Sequence, residues 1–131
     1  MQKIIIASGP VIIENNKVLL DKDYKDEFWK FCGGKTKESE SLIETAQRRS
    51  KEELGIEMEI INPKPFLLHI KEKTPEGALD IILVHYLASH TGKISPGKDI
   101  KEWEWIPLEE LENKNLAPNI ILTLKYFEFL K

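Results

Sequence analysis

The chain has 131 residues, of which 41% are hydrophobic and 31% are charged, and its formal net charge at pH 7 is −3. This length predicts a single domain over residues 1–131, and the small negative charge argues against binding of long nucleic acid through bulk charge. Cys32 is the single cysteine and cannot form an internal disulfide, and no apolar run approaches the roughly 20 residues that span a bilayer. We therefore expect a cytoplasmic protein with no membrane partner.

The first residues of the chain have the composition of β-strands. Residues 2–13 are rich in β-branched side chains and are interrupted at Gly9-Pro10. This pattern predicts one strand, or two strands with a bend. Asn15-Asn16 is a turn signal, and Val18-Leu19-Leu20 continues as the second arm of a hairpin. The chain is therefore expected to open with a β-hairpin.

A helix is predicted at residues 39–54, after a charged loop at 21–27 and a short aromatic strand at 28–31. At 100° per residue, small or apolar side chains share one face of this helix, namely those of Leu42, Ile43, Ala46, Ser50 and Leu54. Glu52 and Glu53 lie in its last turn, where the helix dipole disfavours negative charge. This placement indicates a compensating positive charge, and a divalent metal is one candidate.

The second half of the chain adds strands and then helices. Strands are predicted at residues 57–61, 66–70, 79–88 and 103–106. The most apolar of them, 79–88, is expected to be a central strand. Pro107 and Pro118 each open a helix, as proline often does in a first helical turn. The order of elements predicts an α+β fold or an α/β/α sandwich over a mixed sheet.

The spacing within residues 34–56 is more specific than the pattern of elements. The segment resembles the Nudix box, in which glycine, five residues, glutamate and seven residues precede Arg-Glu-aliphatic-any-Glu-Glu-any-Gly-aliphatic. The residues that match are Gly34, Glu40, Arg48, Glu52, Glu53, Gly55 and Ile56. Residues 28–35, with Cys32 where proline is common, and residues 99–111 are also similar to segments of this family.

The resemblance implies a Nudix fold and hydrolysis of a nucleoside diphosphate linked to another group. In the family, box glutamates bind Mg²⁺ or Mn²⁺, which bridges the pyrophosphate oxygens and activates water. The resemblance thus implies a metal site at Glu52 and Glu53, with backbone from Gly34.

The resemblance also implies roles around this metal site. Glu40 and Arg48 are expected to form a salt bridge that holds the loop against the helix. Gly33, Gly34 and Lys35 are expected to bind the substrate. Asp99 falls where such domains often place an acidic residue, so it is the candidate for a further ligand or for the general base.

Arg49 departs from the family pattern, which has glutamate at this position. The difference changes the local charge by two units, and the guanidinium can pair with Glu52 or Glu53. We expect weaker metal binding as a result. Ser50 stands where an aliphatic residue is usual, and this difference is expected to affect packing only.

Two functions remain open at this point. The first is a Nudix hydrolase that acts on ADP-ribose, a dinucleoside polyphosphate or a nucleoside triphosphate, with activity weakened by Arg49. The second is a degenerate domain that binds a nucleotide or a protein partner without hydrolysis. A purely structural protein is a third alternative, but packing alone would not require the Gly33-Gly34 loop and the Glu52-Glu53 pair. A homodimer in which the strand at 79–88 extends across two copies is also left open.

Overall fold

A computed structural model gives the structure of residues 3–131, which contain seven strands, two α-helices and one 3-10 helix. The strands are β1 (Lys3–Glu14), β2 (Lys17–Asp23), β3 (Gly34–Lys35), β4 (Glu57–Ile60), β5 (Phe66–Thr74), β6 (Gly77–Thr91) and β7 (Ile100–Pro107). The helices are α1 (Leu42–Leu54), α2 (Ile120–Tyr126) and the 3-10 helix Leu108–Asn113. Within the described residues, no helix is long and apolar enough to cross a membrane.

Strand β1 lies at the centre of a mixed sheet. Its residues 3–12 pair in parallel with residues 79–88 of β6, and its end forms an antiparallel hairpin with β2. Strand β7 pairs with β2, and β4 and β5 both pair with β6, while the short β3 pairs with β1. This arrangement confirms the mixed sheet and the N-terminal hairpin that the sequence predicts.

The two faces of the sheet carry different helices. Neighbouring residues of a strand point to opposite faces, and in β1 the side chain of Ile12 packs with Leu54 of α1 whereas that of Val11 packs with Leu124 of α2. Each face therefore buries its own apolar cluster beneath one helix. The sandwich of helix, sheet and helix is confirmed.

The hairpin turn and the interruption in β1 both have local causes. Asn15 and Asn16 have φ values of 50° and 60°, the left-handed conformation that such a two-residue turn requires. Gly9-Pro10 does not divide the strand, which runs as one element from Lys3 in the described residues, while Gln2 lies outside them. A Cβ on Gly9 would collide with the carbonyl oxygen of Cys32, so this glycine allows the loop before β3 to lie directly on β1.

Several predicted boundaries are wrong, and the structure gives the reason for each. Helix α1 begins at Leu42 instead of 39, because Ser41 caps it through a reciprocal pair of hydrogen bonds with Glu44. Strand β2 continues to Asp23, into the predicted loop at 21–27, because β7 pairs with it along this length. Residues 28–31 form isolated bridges and no strand.

The buried face of α1 also differs from the prediction. In α1 the buried side chains are those of Thr45, Ala46, Ser50, Glu53 and Leu54, while Leu42 and Ile43 are half-buried. Helix α2 ends at Tyr126, so Phe127 and Phe129 contact the core from beyond the helix. Residues 79–85 of β6 are paired on both edges, so this part of the strand offers no free edge to a second copy.

Candidate active site

The glycine loop and the last turns of α1 lie against each other. Gly33 has a φ of 151°, which L side chains rarely adopt, and a Cβ there would lie 2.7 Å from the carbonyl oxygen of Ser8. A Cβ on Gly34 would collide with the guanidinium of Arg49. Both glycines therefore permit a close approach, one to the strand beneath and one to the helix above.

Arg48 ties the loop to the helix. Its Nε donates to Glu40 Oε2 at 2.6 Å, and its Nη2 donates to Glu40 Oε1 at 3.0 Å and to the Lys35 carbonyl oxygen at 2.9 Å. The Arg48 hydrogen bond, with help from the Lys37 N–H, lowers the pKa of Glu40 to about 2. The salt bridge that the resemblance implies between Glu40 and Arg48 is thus present, and it closes the loop over residues 35–40.

Arg49 lies between the two glutamates at the end of the helix. Its Nη1 is 2.9 Å from Glu52 Oε1 and its Nη2 is 3.2 Å from Glu53 Oε2. Its Nε also donates to the Gly33 carbonyl oxygen at 3.4 Å. The guanidinium is therefore the positive charge that compensates the acidic helix end in this structure.

Glu53 is buried and its carboxylate is surrounded by donors. The residue is 6% exposed, and its Oε1 accepts from the Gly33 N–H at 2.8 Å and from the Cys32 thiol at 3.5 Å. Its Oε2 faces Arg49 and, at 3.7 Å, the Nζ of Lys30. Both oxygens of this carboxylate therefore face protein donors, through hydrogen bonds on Oε1 and through ion pairs on Oε2.

Lys30 and Asp21 form a second layer behind Glu53, and the sequence did not single them out. Lys30 Nζ lies 2.9 Å from Asp21 Oδ1, and Asp21 is completely buried with no hydrogen-bond partner for Oδ2 in the described residues. Burial raises the pKa of Asp21 to about 6, against the opposing effect of Lys30. Two sequence features could have indicated them: Asp21 is an acid directly after the apolar run 18–20, and Lys30 is a lysine among the aromatic residues 28–31.

A cavity of about 310 Å³ opens at the end of α1 and brings Asp99 to the two glutamates. Its lining includes Arg49, Glu52, Glu53 and Asp99. The loop that carries Asp99 is attached to the helix end, because the N–H groups of residues 95 and 97 donate to the carbonyl oxygens of residues 54 and 53, each at 2.8 Å. The carboxylates predicted from the sequence are thus neighbours around one space.

A larger cavity of about 370 Å³ lies on the other side of the Arg49–Glu53 pair, and these two residues line both cavities. One part of its wall is apolar and is formed by Phe28, Phe31, Ile70, Ile81 and Leu83. The lining also includes Lys30 and the predicted binding residues Gly33 and Gly34. Lys35, also predicted to bind substrate, lines neither cavity, and its carbonyl oxygen binds Arg48.

His85 and Asn119 also line the larger cavity. The ring centroid of His85 is 4.9 Å from that of Phe31, and its Nδ1 is 3.5 Å from Asn119 Nδ2. Burial, with the nearby positive charge of Lys30, lowers the pKa of His85 to about 3. The imidazole is therefore neutral at pH 7 and offers a hydrogen-bonding edge without charge.

The box glutamates, as arranged here, do not fit a divalent metal. Oxygen donors are present in Glu52 and Glu53, as Mg²⁺ requires. However, Glu52 Oε1 is held by Arg48 and Arg49, each at 2.9 Å, while Glu53 accepts from the Gly33 N–H on Oε1 and faces Arg49 on Oε2. A metal that binds Glu52 Oε1 or Glu53 Oε2 would have to displace the guanidinium of Arg49.

Comparison with protein-family models identifies the family of this chain. Residues 6–127 match the model of the NUDIX domain, so the chain belongs to the NUDIX family. The family resemblance predicted from the box is confirmed. No curated protein sequence matches the chain.

Solved structures show the same fold. The E. coli ORF135 protein is 24% identical with a TM-score of 0.72, over 96% of this chain and 89% of that chain. A NUDIX-family hydrolase from Clostridium perfringens is 23% identical with a TM-score of 0.72, over 94% and 97% of the two chains. A bifunctional NMN adenylyltransferase/ADP ribose pyrophosphatase from Francisella tularensis is 15% identical with a TM-score of 0.72, over 99% of this chain and 42% of that one. At these identities the likeness concerns the fold.

Proposed function

We propose that the chain binds a nucleoside diphosphate-linked compound in the larger cavity and hydrolyses its pyrophosphate slowly. The observation that carries this proposal is the position of Arg49, whose guanidinium contacts both Glu52 and Glu53 beside the glycine loop. Membership of the NUDIX family supports hydrolysis of such compounds. The Arg49 guanidinium neutralises Glu52 and Glu53, which the family resemblance assigns to metal binding.

The composition of the larger cavity supports a nucleotide as the ligand. Its apolar wall, with Phe28 and Phe31, suits the faces of a nucleobase, and the neutral His85 can exchange hydrogen bonds with a base edge. The lining also has Arg49 and the glycine loop, which suit phosphate oxygens. ADP-ribose, a dinucleoside polyphosphate and a nucleoside triphosphate share this division into base and phosphates.

The substitution Arg49→Glu tests the proposal. We expect it to raise pyrophosphate cleavage by at least about tenfold, because it restores a third carboxylate and releases Glu52 and Glu53. Release of phosphate-containing products is measured for the three substrate classes over a titration of Mg²⁺ and Mn²⁺. Lys64→Glu is the matched control, since it makes the same change of charge at a residue that lines neither cavity.

A second variant ties any activity to this site. Glu53→Gln should abolish the slow turnover of the wild-type chain and should also abolish the gain in an Arg49→Glu background. If Arg49→Glu cleaves no faster than the wild type at every metal concentration, Arg49 does not suppress the reaction and the proposal is wrong.

The contacts of Glu53 favour a second candidate function, a nucleotide-binding domain without hydrolysis. Protein donors face both oxygens of this carboxylate, as a domain released from catalysis would allow. Thermal stabilisation of the wild-type chain by a nucleotide, together with no product release under any metal condition, would support this second function over the first.

A further inference from the structure

The guanidinium of Arg49 keeps hydrogen-bonding capacity for a ligand. Of its five N–H groups, one faces Glu52, one faces Glu53 and one faces the Gly33 carbonyl oxygen. The two others, one on each Nη, have no partner within residues 3–131. The side chain is 28% exposed and lines both cavities. Arg49 can thus donate to a ligand while it holds the glutamates.

The charge of the site matches that of a metal-loaded box. Glu40, Glu52, Glu53 and Asp21 contribute four negative charges, and Arg48, Arg49 and Lys30, which contact them, contribute three positive charges. The net charge of this cluster is −1. A glutamate at position 49 would make it −3, and one divalent cation would return it to −1. A single side chain therefore supplies the charge that one metal ion supplies to an intact box.

The geometry also places this charge where a phosphate can reach it. The guanidinium packs so closely on Gly34 that a Cβ there would collide with it, so no side chain separates it from the glycine loop. The contacts to Glu52 and Glu53 fix its position from the opposite side. Guanidinium groups bind phosphate oxygens in a planar, bidentate manner.

We propose that Arg49 takes the place of one divalent cation, so that the chain binds the phosphates of a nucleoside diphosphate directly and without metal. This inference rests on the binding half of the proposed function and is independent of turnover. The inference differs from weak metal binding alone, because it predicts that the wild-type chain keeps its full affinity for the ligand when a chelator has removed metal ions.

Calorimetric titration with α,β-methylene-ADP tests the inference, since its methylene bridge cannot be hydrolysed. For the wild-type chain we expect the same dissociation constant in EDTA and in Mg²⁺. For Arg49→Glu in EDTA we expect binding weaker by about 10- to 100-fold, the factor for loss of a hydrogen bond to a charged group, and recovery in Mg²⁺. Arg49→Met should be weak in both buffers, and Lys64→Glu should behave as the wild type.

A second readout needs no nucleotide. Mg²⁺ should raise the melting temperature of Arg49→Glu and should change that of the wild-type chain much less, because the variant removes the guanidinium from Glu52 and Glu53 and adds a third carboxylate. The melting curves and circular dichroism of both Arg49 variants establish that they are folded before their affinities are compared.

The outcomes separate this inference from the proposed function. Wild-type binding that requires Mg²⁺ overturns the inference and leaves slow hydrolysis standing. Wild-type binding in EDTA with equal affinity in Arg49→Met also overturns it, because Arg49 is then not the phosphate ligand. Absence of binding in both buffers overturns it together with the assignment of the larger cavity. Binding in EDTA that depends on Arg49, with no turnover in Arg49→Glu, supports the inference and contradicts slow hydrolysis.

Discussion

At the scale of single residues, Gly9 and Gly34 differ in the atoms that an added Cβ would meet. A Cβ on Gly9 would meet the backbone carbonyl of Cys32, whereas one on Gly34 would meet the end of the flexible Arg49 side chain. We expect Gly9→Ala to lower the free energy of unfolding by about 1–3 kcal/mol, as overpacking does, and Gly34→Ala to lower it by less. Urea denaturation of the two variants measures the difference, and an equal or reversed order would contradict the geometry.

His85 gives the stability of the chain a dependence on pH. Burial, together with the charge of Lys30, lowers its pKa to about 3, against about 6.5 in an unfolded chain. The unfolded state therefore binds a proton below pH 6.5 that the folded state does not bind until about pH 3. The stability that neutral His85 confers is complete above pH 6.5 and is lost as the pH falls through this window.

The substitution His85→Gln isolates this effect. Between pH 7.5 and pH 5 the wild-type chain should lose about 2 kcal/mol more stability than the variant, which has no imidazole to protonate. Chemical denaturation at several pH values gives both slopes. Asp21, which also titrates near this range, is common to both chains and cancels in the comparison. Parallel slopes would show that His85 is protonated as easily in the folded state as in the unfolded one.

The site residues within the box could be predicted from the sequence. The residues that reach the site from other parts of the chain could not. Glu52, Glu53 and Arg49 are neighbours on one helix, so their proximity follows from helical geometry. The contact of Glu53 with Lys30 depends on how β2 and the following loop pack beneath the helix, which no local pattern specifies. His85 lies in the apolar run 79–88, whose pattern does not distinguish a core position from the cavity wall in which the structure places it.

At the scale of elements, the start of α1 depends on a single side chain. Ser41 Oγ accepts from the Glu44 N–H at 3.1 Å, and Glu44 Oε1 accepts from the Ser41 N–H at 2.8 Å. Ser41→Ala should cost about 1 kcal/mol of stability, because it leaves the Glu44 N–H without its cap. Ser41→Asp retains an acceptor and should stay near the wild-type value in the same denaturation experiment. A neutral alanine variant would show that other contacts set the helix start.

The errors in helix and strand boundaries share one physical origin. Periodicity reports which side chains face the core, but caps and neighbouring strands decide where an element ends. Thr45 and Glu53 are polar and yet buried in α1, because their side chains bind the glycine loop region through Thr36 and Gly33. Leu42 and Ile43 are apolar and remain half-buried at the helix start. Polar contacts with the glycine loop region thus replace part of the apolar stripe of α1.

At the scale of the whole molecule, the fold class followed from the order of elements and from the box, whereas the pairing of the sheet did not. Residues 79–88 were expected to be central because they are apolar, and β6 does pair with β1 on one edge and with β5 and β4 on the other. The parallel pairing of β1 with β6, and the pairing of both β4 and β5 with β6, depend on contacts between distant segments. Hydrophobic pattern alone contains no information on these partners.

The parallel ladder between β1 and β6 has a consequence for the order of events during folding. It joins residues 3–12 to residues 79–88, so β1 is synthesised well before the strand with which it pairs. Contacts of such long sequence separation slow folding, because a large loop must close before they form. The hairpin of β1 and β2 and the capped helix α1 can form early from local contacts, but both cavities acquire their full walls only after β6 has docked. The nascent domain therefore spends most of its synthesis without the complete walls of either cavity.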